Sequence, residues 1–163
     1  MTVSAERVVE TLRERGLSLT TAESLTGGLI GATVTTVPGA SQVYLGGVVA
    51  YDSRLKESLL GVPDELIETH TVVSEPVARA MALGLAQRTD ADWTVAVTGV
   101  AGPTGQEGHA PGEVWIAVVG PQVGQLPRFE LAERYDFEGD RASVREQTVD
   151  ASFTMLLRVL SPV

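Results

Sequence analysis

Apolar positions along the chain switch repeatedly between a helical and a strand period. In residues 4–15, Val8, Val9 and Leu12 form one stripe, continued by Leu17 beyond Gly16, so the spacing predicts an amphipathic helix ending at that glycine. Residues 17–23 read as a short strand and 26–36 as a helix stopped by Pro38-Gly39. A strand is predicted over 43–51, a short helix over 53–60 closed by Gly61, and a further helical turn over 63–68. Residues 74–88 carry the clearest helical signal. Ser74 suits an N-cap, Glu75 suits the positive helix end, and Pro76 is tolerated in the first turn. Val77, Ala80, Met81, Gly84 and Leu85 then share one face. Strands follow over 93–98 and 114–119, separated by a loop rich in glycine and proline. A strand over 128–137 is predicted to pair antiparallel with its predecessor. A long helix over 140–160 turns Val144, Ala151, Met155 and Leu156 inward. Strands separated by helices predict an α/β layered domain with a mostly parallel, mixed-edge sheet, and no repeat or linker divides residues 1–163.

The 163 residues are enough for one core, and an apolar share of 44% with 20% charged residues is ordinary for a globular protein. The longest apolar run, residues 44–50, falls far short of the ~18–20 residues that cross a bilayer, so no membrane association is expected. The N-terminus lacks the basic-then-apolar layout of a secretory leader, which points to the cytoplasm. Absence of cysteine removes disulfides, thiolate metal sites and a thiol nucleophile together. His70 and His109 share no ligand spacing, so no metal is expected. A net charge of −9 disfavours nucleic acid as a partner.

Ligands gather at the carboxyl ends of strands in open α/β sheets, and three segments place suitable residues there. In the first, Thr20 to Gly28, Ser24 falls where a strand hands over to a helix. Its hydroxyl can project from a tight turn, while backbone N–H groups of Thr26, Gly27 and Gly28 are candidates to hold an oxyanion. The plain alternative is a serine N-cap before a glycine-rich helix start. In the second, Tyr51 ends a strand and Lys56 falls in the first turns of the next helix. A lysine in a dry pocket loses proton affinity and can serve as a general base, with the tyrosine relaying a proton or holding geometry. A solvated Lys56 beside a core Tyr51 is the competing reading. In the third, Thr98 opens into a loop with Gly99, Gly102 and Gly105 at every third position, able to present N–H groups to an anion or merely to turn. This is neither a P-loop nor a dinucleotide fingerprint. Arg141 and Arg145 lie four apart at the start of the last helix, where they suit a phosphate or pair with surface carboxylates.

Taken together, these segments resemble the CinA C-terminal domain family, whose members act as nicotinamide-nucleotide amidases. The resemblance rests on Thr21-Ala22-Glu23-Ser24 with Thr26-Gly27-Gly28, Pro38-Gly39-Ala40-Ser41, Gly46 to Tyr51, Lys56, Val73-Ser74-Glu75, Thr98 to Pro103 and Gly139-Asp140-Arg141 with Arg145. It implies a three-layer α/β/α domain without metal or cofactor and a homo-oligomer, dimer or tetramer. It also implies hydrolysis of the carboxamide of nicotinamide mononucleotide to nicotinate mononucleotide and ammonia. On this mapping Ser24 is the nucleophile, Lys56 its base and Tyr51 an assistant. Thr98 and the glycine-rich loop line the site, and Arg145 takes the substrate phosphate. The separate N-terminal domain of larger members is expected to be absent, with any activity it carries.

The chain departs from the family pattern at Leu25, where cysteine is usual, and at Thr71-Val72, where Gly-Ala is usual. It departs again over Gly108 to Val114, where a lysine is missing. These departures motivate the rival reading of a non-catalytic nucleotide-binding or regulatory module. An amidase for another small amide is a third reading.

Overall fold

The computed structural model describes residues 2–161 of the chain. Helix α1 (Thr2–Arg15) leads into strand β1 (Leu19–Glu23), which is followed by α2 (Leu29–Thr35), a 3-10 turn at Ala40–Gln42 and β2 (Tyr44–Val49). Helices α3 (Ser53–Leu60), α4 (Asp64–His70) and α5 (Glu75–Thr89) come next. Strands β3 (Trp93–Gly99), β4 (Glu113–Val119) and β5 (Glu130–Asp136) precede the closing helix α6 (Arg141–Leu160). The strand order is β2-β1-β3-β4-β5. Both neighbours of β1 run parallel to it, whereas β4 pairs antiparallel with β3 and with β5. One strand, β4, is therefore reversed in a sheet whose other strands point the same way, and the predicted antiparallel pair lies at one edge.

Strand alternation divides the core between two faces. Val95, Val97, Val114, Ile116 and Val118 point toward a layer made by α1, α2 and α6. The opposite face carries small side chains in one register row, Ala22 beside Ala96 beside Ala117 beside Ala132. This alanine row lets α5 lie close over the sheet, with α3 and α4 packed beside it. The result is the three-layer α/β/α arrangement. Among the described residues, no helix is long and apolar enough to cross a membrane.

Helix α3 follows its sequence signals. Asp52 caps it by accepting from the Arg54 N–H, and Gly61, at φ 68°, ends it in the left-handed conformation. Two other expectations need correction. Helix α2 begins at Leu29, not at residue 26, because Gly27 and Gly28, at φ 59° and 101°, hold the chain in a turn over 24–28. Ser74 occupies the N-cap position of α5 but does not cap with its side chain; its hydroxyl donates to the Thr71 carbonyl at 2.9 Å.

The tight fit between α3 and α5 depends on Gly84, because a Cβ there would collide with the Leu60 carbonyl oxygen. Gly84→Ala is expected to lower stability by about 1–3 kcal/mol through overpacking. Urea unfolding checks this, and an unchanged midpoint would show that the two helices separate freely.

Candidate active site

The parallel strands β1, β2 and β3 deliver Glu23, Val49 and Gly99 to the same end of the sheet. Beyond those ends lies a cavity of about 310 Å³. Ser24, Lys56 and Thr98 bring polar groups to it, Val72, Val100 and Ala101 supply apolar wall, and Tyr51 and Arg141 also line it. Lys56 and Arg141 are the cations in this lining, and no carboxylate belongs to it.

Lys56 projects from the first turn of α3 and is only 2% exposed, which removes the solvated alternative. Its Nζ lies 2.9 Å from Ser24 Oγ, 2.7 Å from the Ala50 carbonyl oxygen and 3.4 Å from the Tyr51 carbonyl oxygen. A charged amine has three N–H groups, and these three oxygens receive them. Once the amine loses a proton, two N–H groups remain. The two carbonyls can only accept, whereas the serine hydroxyl can donate. The lone pair is thus left facing the Ser24 hydroxyl, the geometry that a general base needs. Burial lowers the Lys56 pKa from 10.5 to about 8, against the opposing attraction of the Asp52 and Glu107 carboxylates. The neutral amine is consequently accessible near neutral pH.

Tyr51 is placed differently from the relay expectation. Its carbonyl, not its hydroxyl, meets Lys56. The ring is 59% exposed, and its hydroxyl accepts from Arg141 Nη2 at 2.9 Å. Arg141 also donates through Nη1 to the Gly102 carbonyl at 2.8 Å, so the Tyr51–Arg141 pair is tied to the glycine loop at the cavity. Thr98, Gly99 and Gly102 line the cavity as anticipated. The Thr98 hydroxyl donates to the Val72 carbonyl at 2.8 Å. Gly99 admits a close approach by β4, since a Cβ would stand 2.7 Å from the Glu113 carbonyl oxygen.

Four anticipated substrate contacts fall outside the cavity lining: Thr26, Gly27, Gly28 and Arg145. The Gly27 N–H donates back to the Ser24 carbonyl at 3.0 Å. The Thr26 hydroxyl donates to Glu23 Oε1 at 2.7 Å. The start of α2 is not an open anion site either, because Glu23 accepts from the Ile30 and Gly31 N–H groups at 2.8 and 3.0 Å. Arg145 donates to the Leu25 and Thr26 carbonyls at 3.1 and 2.9 Å, which commits its fork to the chain itself.

Sequence reasoning assigned no role to Glu23. One signal was available: a carboxylate closing a strand whose five residues are all buried needs donors, and the next helix start supplies them. The departures from the family pattern also meet in space. Thr71, at φ 65°, places its hydroxyl 2.6 Å from His109 Nε2, and His109 Nδ1 lies 3.0 Å from Glu113 Oε1. This cluster braces the loop that forms one side of the cavity.

The chain is thus a three-layer α/β/α domain with a buried lysine hydrogen-bonded to a serine at the strand ends. Residues 1–160 match the CinA C-terminal domain, and the chain belongs to that family. A CinA-like protein of Prochlorococcus marinus (strain MIT 9313) is 44% identical over 157 residues, 96% of this chain and 36% of the relative. A CinA-like protein of Desulfotalea psychrophila is 41% identical, covering 94% of this chain and 36% of the relative. The chain thus spans 36% of the length of these curated relatives. A competence-damaged protein (CinA) superfamily structure from Klebsiella pneumoniae superposes with a TM-score of 0.91 at 34% identity, covering 98% of this chain and 96% of that one. The competence/damage inducible protein CihA from Agrobacterium tumefaciens gives 0.91 at 33% identity, with coverage of 98% and 95%.

The depressed pKa of Lys56 carries a stability consequence. In the unfolded chain the amine keeps its ordinary value of 10.5, so between about 8 and 10.5 the unfolded state binds more protons than the folded one. Stability from this group therefore rises with pH across that window. Lys56→Met should lack this rise and unfold no more easily than wild type at pH 7. Urea unfolding of both proteins at two pH values inside the window checks it, and parallel responses would contradict the burial-driven shift.

Proposed function

We propose that the protein is a serine amidohydrolase that converts nicotinamide mononucleotide to nicotinate mononucleotide and ammonia. The observation that carries this reading is the buried Lys56 amine 2.9 Å from Ser24 Oγ, with its remaining partners unable to donate. Neutral Lys56 removes the Ser24 proton as the oxygen attacks the carboxamide carbon. The lysine then returns that proton to the leaving nitrogen, which departs as ammonia and leaves a serine ester. Water, deprotonated by the same amine, attacks the ester, and the acid is released as Ser24 regains its proton. A general base of this kind contributes roughly 100- to 10,000-fold.

The cavity chemistry supports an anionic substrate. No carboxylate lines it, and Arg141 sits within the lining while hydrogen-bonded to Tyr51 and Gly102. Arg141 replaces Arg145 as the side chain that meets a substrate phosphate. In this reading the enzyme needs no metal or cofactor, works in the cytoplasm as a homodimer or homotetramer, and binds neither nucleic acid nor membrane.

Ammonia release from nicotinamide mononucleotide tests the proposal directly. Ser24→Ala and Lys56→Met should each lose at least ~100-fold in kcat, by the scale of general-base catalysis. Calorimetric binding without ammonia would favour the nucleotide-binding module, and ammonia from a different small amide alone would reassign the substrate. The wild-type rate should rise with pH and level off above about 8, as the neutral amine accumulates. A rate that falls through this range would remove Lys56 as the base.

A further inference from the structure

The turn that presents Ser24 has little intrinsic stiffness. Its residues 24–28 belong to no helix or strand, and it includes Gly27 and Gly28, both at positive φ. Glycine loses more conformational freedom on folding than any other residue, so the turn's single internal backbone bond, from the Gly27 N–H to the Ser24 carbonyl, leaves much of its geometry to contacts from outside. Two side chains of opposite charge reach it from different elements. From the end of β1, Glu23 is 1% exposed and accepts from the Thr26 hydroxyl and from the Ile30 and Gly31 N–H groups. From α6, Arg145 donates through Nε and Nη2 to the Leu25 and Thr26 carbonyls. One side chain collects donors and the other satisfies acceptors, and Thr26 is held by both.

We propose that Glu23 and Arg145 form a two-sided clamp on the nucleophile turn, positioning Ser24 against Lys56 without touching the substrate. The proposal rests on the serine-nucleophile reading above. Both residues stand outside the cavity lining, whereas Arg141, one helical turn before Arg145, lies within it. The two arginines of the last helix thus divide their work: one faces the cavity and the other holds the backbone. Clamp and site are also continuous in sequence, since Glu23 directly precedes Ser24 and Arg145 grips the two residues that follow it.

A misplacement of about 1 Å at a reacting group can cost on the order of 100-fold in rate. Arg145→Gln is accordingly expected to lower kcat by roughly 10- to 100-fold, with KM for nicotinamide mononucleotide within about twofold of wild type. Arg145→Lys should recover only part of the loss, because an ammonium is a point donor and cannot span two carbonyls as the planar fork does. A fluorophosphonate that labels reactive serines provides a readout without substrate or phosphate recognition. Intact-mass kinetics should show wild type labelled at Ser24, Ser24→Ala unlabelled, and Arg145→Gln slowed by a factor similar to its loss in kcat. Glu23→Gln should slow labelling too; if it fails to fold, the Arg145 variants decide alone.

A rise in KM for the nucleotide with unchanged labelling would make Arg145 a phosphate ligand and overturn the clamp. Wild-type labelling and turnover in Arg145→Gln would overturn it as well. Wild type that labels at Ser24 yet releases no ammonia from the nucleotide would overturn the substrate assignment and leave the clamp standing. Wild type that neither labels nor turns over would overturn the serine-nucleophile reading, and the clamp would fall with it.

Discussion

A lysine amine enclosed by protein must either find acceptors for all of its protons or give one up. In this structure the choice is nearly balanced, and the arrangement around Ser24 depends on that balance. Two carbonyls, from Ala50 and Tyr51, hold the amine in place in either protonation state. The third direction is reserved for a group able to donate or accept, the Ser24 hydroxyl. Were a carboxylate in direct contact with the amine, the charged form would be held. The carboxylates that do act on Lys56, Asp52 and Glu107, oppose the shift without cancelling it.

Each layer of the fold contributes to this local balance. Parallel β1 and β2 bring Glu23 and Val49 into register, so that the residues following them, Ser24 and Ala50, emerge side by side. Helix α3 then returns Lys56 toward both, and the Asp52 cap together with Gly61 fixes how far that short helix extends. The alanine row beneath α5 draws that layer close to the sheet. Across the sheet, α6 supplies Arg145 to the turn and Arg141 to the cavity from successive helical turns.

Much of this was legible in the sequence, and the limits are physical. The bounds of helix α3 agree with the sequence reading, which closes it at Gly61; the Asp52 cap at its start is a finding of the structure. The pairing of Ser24, just past a strand, with Lys56, in the first turns of the next helix, follows from those places and from the family resemblance, and the two side chains do meet. Helix α2 was started too early because Thr26-Gly27-Gly28 has apolar helical sequence after it, and nothing local reveals that both glycines take positive φ. Ser74 was read as a side-chain cap from its residue type, yet the Thr71 carbonyl proved the better partner. The resemblance implies a phosphate for Arg145 and its spacing also allows a surface carboxylate; its bonds to the Leu25 and Thr26 carbonyls depend on the approach of the 24–28 turn to α6, which no local signal reveals. The departures at Thr71, His109 and Glu113 looked independent along the chain, and their mutual contacts exist only in three dimensions.

The absence of carboxylates from the cavity acquires a different meaning beside the net charge of −9. Any anion approaching this chain crosses a repulsive long-range field before it meets Arg141 and Lys56 at close quarters. Counterions shorten the reach of that field, with a Debye length of about 10 Å at 0.1 M salt, but act far less on contacts inside the cleft. Moderate salt therefore eases the approach of an anion to this cleft, the reverse of its effect where opposite charges attract over a distance.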